Sequence, residues 1–333
     1  MKALVTGGGG FVGRYIVEQL LARGDAVTVF SRGAYPDVAA LGARVLRGDL
    51  RDRAAVIAAC AGMDAVFHVA ALAGMWGAWT EFYAVNVVGT DNVIAGCRAH
   101  GVPKLINTSS PSVIFDNAPH TGVDEDYLYP AHYECHYPLT KALAEQAVTA
   151  ANGPDLLTVS LRPHLVWGPR DNHLLPGLFK SARAGFLPQV GDGTNRVDLT
   201  YVEDAARAHL LAADALTPGS PVAGSVYFIS QGEPVTLWPW VRELLRDLGL
   251  PGPRLRLALP VARAIGGALE AAYRVLPLRG EPRLTRFLAS ELAQSHYYDI
   301  TRAQRDFGYT PQFTMAEARR ITVAYLKEHG VGA

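Results

Sequence analysis

The stretch Ala3-Leu4-Val5-Thr6-Gly7-Gly8-Gly9-Gly10-Phe11-Val12-Gly13 decides the fold of this chain. A short apolar run comes first, a cluster of glycines follows, and a helical pattern is predicted over residues 15–23. Glycines between a strand and a helix let the backbone approach a pyrophosphate, which then lies at the helix N-terminus. An ordinary glycine-rich turn is the plainer alternative, but this position between a strand and a helix favours a nucleotide site.

The first half of the chain alternates between short apolar runs and helical patterns. Predicted strands cover residues 3–6, 26–30, 44–46, 65–69, 104–108 and 157–161. Predicted helices cover residues 15–23, 54–60, 81–99 and 141–151. Runs rich in Val, Leu and Ile are typical of strands buried on both faces. The sequence therefore predicts an α/β fold, a doubly wound parallel sheet of the Rossmann type.

This alternation ends after Arg162. Prolines then interrupt the chain at Pro163, Pro169, Pro176 and Pro188, and one further strand is predicted over residues 222–230. The segment from Thr236 onward is mostly helical, with proline stops at Pro251, Pro260, Pro277 and Pro282. We predict a nucleotide-binding domain of residues 1–166 and 196–231, and a smaller, mostly helical substrate-binding region of residues 167–195 and 232–333.

Composition excludes several classes of protein. The 31 Lys and Arg residues balance the 31 Asp and Glu residues, so net charge favours neither nucleic acid nor an anionic membrane as a partner. Three cysteines without CxxC spacing indicate neither a disulfide framework nor a metal site. No apolar stretch reaches the roughly 18 residues that span a bilayer, and Met1 leads directly into the first apolar run without a signal-peptide pattern. We expect a cytoplasmic protein.

The end of the second predicted strand bears on cofactor choice. An NAD site places Asp or Glu there to bind the ribose 2′-hydroxyl, whereas NADP needs a cation for its 2′-phosphate. The chain has Ser31 and Arg32 at this point, and Arg14 could lie near them. The missing carboxylate predicts NADP(H) rather than NAD(H). Asp49, after the third strand, could accept from the adenine amino group or cap the helix at 54–60.

Tyr137 and Lys141 are candidates for proton transfer. A spacing of four places both side chains on one helix face, and an adjacent ammonium lowers the pKa of a tyrosine. Such a tyrosine can give a proton to a forming alkoxide. A surface pair is the plainer alternative. Upstream, the cluster Asn107-Thr108-Ser109-Ser110-Pro111-Ser112 follows a predicted strand, where a hydroxyl can hydrogen-bond a reacting carbonyl.

With these motifs in this order, the chain resembles the extended short-chain dehydrogenase/reductase family over nearly its full length. Similar strings are His68-Val69-Ala70-Ala71, Asn86-Val87-Val88-Gly89-Thr90, Leu161-Arg162-Pro163 and Tyr201-Val202-Glu203-Asp204-Ala205. The resemblance implies that Tyr137 is the acid/base, that Lys141 lowers its pKa and holds the nicotinamide ribose, and that Ser110 orients the carbonyl. Asn86 matches an asparagine that supports a proton relay, and Thr108 is a weaker substitute for Ser110.

The same resemblance implies the residues that hold the cofactor. They are Gly7, Gly10, Phe11, Val12, Gly13, Ser31, Arg32, Asp49, Leu50, Ala70, Ala71, Tyr137, Lys141 and Pro163. It also implies a homodimer that pairs through the helices at 81–99 and 141–151, where Leu143, Ala147 and Ala150 are spaced as one apolar stripe.

Within that family the chain is most similar to the 3β-hydroxysteroid dehydrogenase type. The strings are Pro111-Ser112-Val113-Ile114-Phe115, Gly168-Pro169-Arg170-Asp171, His296-Tyr297-Tyr298 and Phe307-Gly308-Tyr309-Thr310-Pro311. Three others resemble the 2-alkyl-3-oxoalkanoate reductases of bacterial olefin synthesis: Phe30-Ser31-Arg32-Gly33-Ala34-Tyr35-Pro36, Ala73-Gly74-Met75-Trp76-Gly77 and Asp171-Asn172-His173-Leu174-Leu175-Pro176. This implies NADPH-dependent reduction of a long, hydrophobic β-keto acid, with Trp76, Ser112 and His164 at the substrate.

Other functions stay open. A 3β-hydroxysteroid or sterol dehydrogenase and a nucleotide-sugar epimerase or dehydratase fit the same motifs, although a dehydratase usually needs a carboxylate beside Ser110. A regulatory NADP-binding protein tends to lose the catalytic tyrosine, which is present here. The apolar stripe within residues 257–278 is most often core, and the alternative is a wall or lid for acyl chains that touches a membrane surface. Arg263 and Arg274 flank this stripe and could meet a carboxylate.

Overall fold

The computed structural model describes residues 1–276, 278 and 280–330. Its strands are β1 (Lys2–Thr6), β2 (Ala26–Ser31), β3 (Arg44–Arg47), β4 (Ala65–His68), β5 (Lys104–Thr108), β6 (His120–Val123), β7 (Leu157–Pro163), β8 (Val166–Trp167), β9 (Pro188–Val190), β10 (Arg196–Val197), β11 (Thr200–Tyr201), β12 (Val226–Ile229), β13 (Val235–Thr236), β14 (Leu255–Leu257) and β15 (His296–Tyr298).

The helices are α1 (Phe11–Ala22), α2 (Pro36–Ala40), α3 (Arg53–Ala59), α4 (Trp79–Phe82), α5 (Gly89–Ala99), α6 (His136–Ala150), α7 (Leu174–Arg183), α8 (Val202–Ala215), α9 (Leu237–Asp247), α10 (Leu259–Val275), α11 (Arg286–Ala293), α12 (Thr301–Phe307) and α13 (Met315–His329). A π-helical turn, Tyr83–Val88, joins α4 to α5, and a 3₁₀ turn covers Pro111–Ile114. No helix in the described ranges is long and apolar enough to cross a membrane.

A seven-stranded sheet forms the centre, in the order β12-β7-β5-β4-β1-β2-β3. All of its strands run parallel, and β1 pairs with both β2 and β4. The strand order reverses at β1 and β4, so a crevice opens there at the carboxyl ends of the strands. The predicted doubly wound parallel sheet is confirmed.

Successive side chains along each strand point to opposite faces of this sheet, and each face has its own hydrophobic core. Leu4, Val66 and Leu105 lie in one core, whereas Val5, Phe67 and Ile106 lie in the other. Because both faces are covered, the strands are apolar throughout, which is the pattern that the sequence showed.

A four-stranded sheet, in the order β13-β10-β15-β6, lies outside the central sheet. It joins segments from distant parts of the chain, because β15 pairs with both β10 and β6. The segments β6 and β10 belong to the predicted nucleotide-binding domain, while β13 and β15 belong to the predicted substrate-binding region. The domain division stays a prediction.

Several element bounds differ from those predicted. Helix α1 begins at Phe11 rather than at residue 15, so Gly13 lies inside it, and α6 begins at His136 rather than at residue 141. The predicted helix at 81–99 is α4, the π turn and α5 in succession. The strand predicted over 222–230 is limited to β12. The proline stop predicted at Pro277 lies outside the described residues.

Candidate active site

The glycine loop between β1 and α1 has no room for side chains. Gly7 has a φ of +70°, and a Cβ there would lie 2.8 Å from the Cα of Ala70. A Cβ on Gly13 would lie 2.3 Å from the carbonyl oxygen of Gly7. The loop is closed by a hydrogen bond from the Gly10 N–H to that same carbonyl oxygen, at 2.8 Å. These close approaches explain why glycine is required at both positions.

The N-terminus of α1 fits an anionic ligand. No side chain caps this helix, and its first turn, which contains Phe11, Val12 and Gly13, has no acidic residue. The N–H groups of a first helical turn have no partner within the helix, and the helix dipole favours negative charge there. The loop therefore fits the pyrophosphate of a dinucleotide, as the sequence predicts.

The end of β2 lacks the carboxylate that would bind a ribose 2′-hydroxyl. Ser31 is buried, and its Oγ has no hydrogen-bond partner among the described residues. Arg32 is exposed, whereas Arg14 is paired with Glu18 and Asp37. An unpartnered buried hydroxyl beside an exposed guanidinium fits a phosphorylated ribose better than a bare one.

Asp49 is not the cap of the helix that follows it. Its carboxylate accepts hydrogen bonds from the backbone N–H and guanidinium of Arg51, and Arg51 lowers the pKa of this carboxyl group. The cap of α3 is Asp52, whose side chain accepts from the N–H of Ala55 at 3.1 Å. The capping alternative for Asp49 is therefore wrong. Leu50, which is buried, adjoins Asp49 at this edge of the sheet.

The residues predicted for proton transfer meet at the carboxyl end of β5. Lys141 is buried, and its Nζ donates to the carbonyl oxygen of Thr108 at 2.6 Å. Ser110 lies two residues further on, with its Oγ 2.9 Å from the Oγ of Ser112. The hydroxyl of Tyr137 lies near that of Ser110, a contact that favours the phenolate. The structure thus brings Ser110, Tyr137 and Lys141 together, and Ser112 lies beside them.

The pKa of Tyr137 moves in the direction opposite to the one that the sequence predicts. Burial raises the pKa of Tyr137, and the contact with Ser110 only partly offsets that effect. Lys141 directs its ammonium to the Thr108 carbonyl, and burial lowers the pKa of Lys141 to about 8. The sequence-based expectation rests on a facing pair, whereas in the structure desolvation is the largest effect on the pKa of each group.

A buried ion pair underlies the site and was missed from the sequence. Glu145, one turn after Lys141, accepts from the guanidinium of Arg162 at 2.6 and 2.9 Å. Tyr129 donates its hydroxyl proton to the same carboxylate at 2.6 Å. Arg162 lowers the pKa of Glu145 against the effect of burial. The signal was available, since a Glu at i+4 from the lysine faces the same side of the helix.

Asn86 holds the site together through its side-chain amide. Its Oδ1 accepts from the N–H of Leu72 at 2.7 Å, and its Nδ2 donates to the Leu72 carbonyl and to Oγ1 of Thr140, each at 3.0 Å. Thr140 lies on α6 between Tyr137 and Lys141. The amide therefore ties the loop after β4 to the helix that carries both residues. The predicted proton relay at Asn86 stays a prediction.

His68 is a second residue for which the sequence predicted no role. It is linked to the backbone of Asn86 through the hydroxyl of Thr90. The hydroxyl of Thr90 donates to the carbonyl oxygen of Asn86 at 2.6 Å, so it accepts from Nε2 of His68 at 2.9 Å. The other ring nitrogen, Nδ1, then accepts from the hydroxyl of Thr6 at 2.8 Å. Burial lowers the pKa of His68 to about 3, so the ring is neutral.

The predicted substrate residues Trp76 and His164 lie in different surroundings. Trp76 is half-buried, and its ring meets Tyr273 of α10 edge-on at 6.1 Å, with the guanidinium of Arg274 5.5 Å from its centre. His164 is buried, and its ring nitrogens contact Asp198 and Nδ1 of His296. Protein groups therefore contact both ring nitrogens, and the substrate contact of His164 stays a prediction.

The predicted cofactor residues Ala70, Ala71 and Pro163 lie at the carboxyl ends of β4 and β7. The N–H of Ala70 donates to Oγ1 of Thr6 at 3.2 Å, and Ala71 is exposed. Pro163 ends β7, opposite Ile229 of β12. All three therefore lie at the edge of the sheet where the crevice opens, and not at the amino ends of the strands.

The apolar stripe within residues 257–278 is not core. Val261, Ile265 and Val275 are 49%, 41% and 81% exposed, whereas Ala262 and Gly266 are buried. A Cβ on Gly266 would lie 2.7 Å from the carbonyl carbon of Thr285. The helix α10 therefore turns its small residues inward, because the backbone before α11 approaches closely, and its large apolar residues face outward.

Comparisons with known proteins agree with this site. Residues 4–260 match the 3-beta hydroxysteroid dehydrogenase/isomerase family. The chain is 48% identical over 322 residues to the 2-alkyl-3-oxoalkanoate reductase of Stenotrophomonas maltophilia (strain K279a), which covers 96% of this chain and 98% of that protein. It is 37% identical over 327 residues to the human sterol-4-alpha-carboxylate 3-dehydrogenase, decarboxylating, which covers 97% of this chain and 87% of that protein.

A solved structure extends the agreement to the whole fold. MoeE5 in complex with UDP-glucose and NAD superposes with a TM-score of 0.75 at 26% identity, covering 99% of each chain. The extended short-chain dehydrogenase/reductase resemblance predicted from the sequence is confirmed. The chain belongs to the 3-beta hydroxysteroid dehydrogenase/isomerase family and is an oxidoreductase that acts on a CH–OH or ketone group.

Proposed function

We propose that the chain catalyses NADPH-dependent reduction of a long-chain 2-alkyl-3-oxoalkanoate to the 3-hydroxy acid, as in bacterial olefin synthesis. The observation that carries the proposal is the 48% identity, over 96% of the chain, to a protein named 2-alkyl-3-oxoalkanoate reductase. The assembled Ser110, Tyr137 and Lys141 supply the groups that reduction of a ketone needs.

The chemistry divides between cofactor and protein. The glycine loop and the end of β2 would hold NADPH, and the chemistry that it would supply is hydride donation to the C3 carbonyl carbon. The hydroxyls of Ser110 and Tyr137 hold the carbonyl oxygen, and Tyr137 gives it a proton as the alkoxide forms. The raised pKa keeps Tyr137 protonated at neutral pH, which suits a proton donor in the direction of reduction. Lys141 holds the nicotinamide ribose in this proposal.

NADP(H) is the proposed cofactor, ahead of NAD(H). Ser31 leaves the end of β2 without a carboxylate, and Arg32 offers an exposed guanidinium to the 2′-phosphate. Phosphate oxygens accept two parallel hydrogen bonds from a guanidinium, which gives this contact geometric selectivity. Gly7, Gly10 and Gly13 then leave room for the pyrophosphate at the N-terminus of α1.

The proposed assembly is a homodimer built on α5 and α6. Leu143 and Ala147 are partly exposed and Ala150 is exposed on α6. Val88, the last residue of the π-helical turn before α5, is 37% exposed. These apolar side chains could pack against a second copy of the chain. Light scattering at micromolar concentration tests the proposal, and a monomer would reject it.

A sterol dehydrogenase is the second candidate function. The 37% identity to the human sterol-4-alpha-carboxylate 3-dehydrogenase, over 97% of this chain, supports it. A nucleotide-sugar epimerase has weaker support, since the similarity to MoeE5 is 26% in sequence. Both candidates share Tyr137 and Lys141 with the leading proposal, so these residues do not discriminate between them.

The deciding experiment compares three substrate classes with one enzyme preparation. The loss of NADPH absorbance is followed with 2-alkyl-3-oxoalkanoates and 3-ketosteroids. Because an epimerase or dehydratase returns the hydride and leaves its cofactor unchanged, turnover of nucleotide sugars is followed by chromatography of the sugar product. We expect the highest kcat/KM with the β-keto acids. A higher kcat/KM with a steroid or a nucleotide sugar would reject the leading proposal.

A further inference from the structure

Two buried histidines face each other where the central sheet meets the four-stranded sheet. His164 directly follows β7, and His296 is the first residue of β15. Nε2 of His164 lies 3.0 Å from Nδ1 of His296. Neither ring has a part in the proposed transfer of hydride and proton, so this pair of nitrogens is a separate feature of the molecule.

The outer nitrogen of each ring carries a proton. Nδ1 of His164 contacts the carboxylate of Asp198, whose other oxygen accepts from the N–H of Tyr298 at 3.0 Å. Nε2 of His296 donates to the backbone carbonyl oxygen of Glu291 at 2.8 Å. An ionised carboxylate and a carbonyl oxygen can only accept hydrogen bonds. In two neutral rings, both inner nitrogens are therefore lone pairs.

Two lone pairs that face each other at 3.0 Å repel unless a positive charge lies between them. A shared proton or a metal ion could supply that charge. Two imidazole nitrogens that bind one tetrahedral Zn²⁺ at about 2.0–2.1 Å lie roughly 3.3 Å apart. The rings of His164 and His296 would therefore need to separate by only about 0.3 Å to hold such an ion.

Glu291 supplies a third ligand at the same place. One ligand atom from each of His164, Glu291 and His296 lies within 4.8 Å of the other two. Glu291 lies on α11, and its carboxylate is 3.9 Å from Nε2 of His296. Its side chain is 21% exposed, which gives an ion a path from solvent. Water can then fill the fourth position of a tetrahedral ion.

The charge of this cluster favours a divalent cation over a single proton. Asp198 and Glu291 are carboxylates, and in the described part of the chain their ion-pair partners are these histidines, with no Lys or Arg. With one shared proton the cluster keeps a net negative charge, whereas a divalent cation makes it neutral. Buried charges in proteins are paired or bound to metal ions, because an unpaired charge is costly to desolvate.

We propose that His164, His296 and Glu291 bind a divalent transition-metal ion, with Zn²⁺ as the ion that fits these ligands. Imidazole nitrogen and carboxylate oxygen are both ligands of Zn²⁺. Metal-bound histidines donate their second N–H to a carboxylate or a backbone carbonyl, and this chain provides one of each. The cysteine spacing in the sequence argues only against a thiolate site.

A bound ion would join distant parts of the chain. His164 belongs to the predicted nucleotide-binding domain, whereas α11 and β15 belong to the predicted substrate-binding region. Because the unfolded chain has no preformed site, binding would stabilise the folded arrangement of these segments. The ion would occupy Nε2 of His164, so this role competes with its predicted substrate contact. The proposal does not rest on the proposed substrate or cofactor.

Metal binding is measured on the full chain after removal of bound metal with a chelator, without substrate or cofactor. Calorimetric titration with ZnCl₂ should give about one ion per chain and a Kd of about 10 μM or tighter. Co²⁺ in place of Zn²⁺ should give the visible absorption bands of a tetrahedral site. Saturating Zn²⁺ should raise Tm by about 5 °C or more, since the ion binds the folded chain.

Two variants and a control assign the binding to these side chains. Glu291→Gln and His296→Gln should each weaken Zn²⁺ binding by about tenfold or more, because each removes a ligand. Glu291 is partly exposed, so Glu291→Gln tests the site even where His296→Gln does not fold. His209→Gln is the control, because the ring of this buried histidine contacts Thr108 and Ala205 and lies outside the cluster.

The outcomes distinguish a metal ion from a shared proton. Zn²⁺ binding that Glu291→Gln weakens and His209→Gln does not supports the proposal. A Kd weaker than about 10 μM, or equal affinity in Glu291→Gln and the wild type, overturns it. An NMR signal from a proton between the rings of His164 and His296 that persists at saturating Zn²⁺ also overturns it, in favour of the shared proton.

Discussion

Lys141 donates from Nζ to the carbonyl oxygen of Thr108 at 2.6 Å, which joins α6 to the carboxyl end of β5. Tyr137 lies one turn before Lys141, and Ser110 lies two residues after Thr108. This single hydrogen bond therefore fixes the distance between the helix that carries the proton donor and the loop that carries the serine. The buried ammonium also explains why the pKa of Lys141 falls to about 8.

Tyr137→Phe should cut turnover by about 10²-fold or more, because one positioned proton donor is lost. Cofactor affinity and fold should be unchanged, since the phenyl ring retains the packing of the tyrosine. Steady-state kinetics and cofactor titration by fluorescence measure the two effects. Tyr297→Phe is the control, because this partly exposed tyrosine contacts Arg196 rather than the site. Near-normal turnover in Tyr137→Phe would contradict the assignment.

Ser31→Asp combined with Arg32→Ala should shift the preference from NADPH toward NADH. The new carboxylate repels the 2′-phosphate and can bind a free 2′-hydroxyl, and the guanidinium that would pair with the phosphate is gone. The ratio of kcat/KM for the two cofactors measures the shift. Arg44→Ala, an exposed arginine on the neighbouring strand β3, should leave the ratio unchanged. A wild-type preference for NADH would show that the cofactor assignment is wrong.

Glu145→Gln should destabilise the protein by about 3–5 kcal/mol, because it leaves the buried guanidinium of Arg162 without its counter-charge. Urea unfolding of the variant and the wild type measures the difference. Gln146→Ala, at the exposed neighbouring position, should change the unfolding free energy by less than about 0.5 kcal/mol. Equal unfolding free energies of Glu145→Gln and the wild type would mean that the ion pair of Glu145 and Arg162 contributes little to stability.

Stability should fall as the pH drops below about 6.5, the pKa of a histidine in the unfolded chain. Burial lowers the pKa of His68 to about 3 and that of His209 to about 4. Between pH about 4 and 6.5 the unfolded chain therefore binds one more proton than the folded chain at each site, which costs about 1.4 kcal/mol per site and pH unit.

The variant His209→Gln measures the contribution of His209 alone to this pH dependence. His209 donates from Nδ1 to the carbonyl oxygen of Ala205 and accepts from the hydroxyl of Thr108. In His209→Gln the slope of unfolding free energy against pH should decrease by about 1.4 kcal/mol per pH unit in that range. An unchanged slope would show that His209 is not kept neutral in the folded chain.

The parts of the fold that depend on burial could be predicted from the sequence. The central strands are covered on both faces, so their apolar runs locate them to within about two residues, apart from β12. The glycine loop is equally predictable, because close approach at Gly7 and Gly13 permits no side chain. The start of α6 was missed since Pro138 interrupts the pattern, although proline is tolerated in the first turn of a helix.

Contacts between distant segments could not be predicted. The periodicity of α10 gives an apolar face but not its direction, which is set by the close approach of Thr285 to Gly266. The pairing of His164 with Asp198 and His296 joins the residue after β7, the segment before β11, and β15. No local pattern indicates such a contact, so the sequence alone could not place His164 beside Asp198 and His296.

The central claim, reduction of a long hydrophobic β-keto acid, is tested most directly by kcat/KM across a series of acyl chain lengths with NADPH. Each methylene buried beside Trp76 should contribute about 0.8 kcal/mol, so kcat/KM should rise roughly fourfold per carbon until the site is filled. The product should be the 3-hydroxy acid. Values of kcat/KM that do not change with chain length, or that are highest with a nucleotide sugar, would contradict the claim.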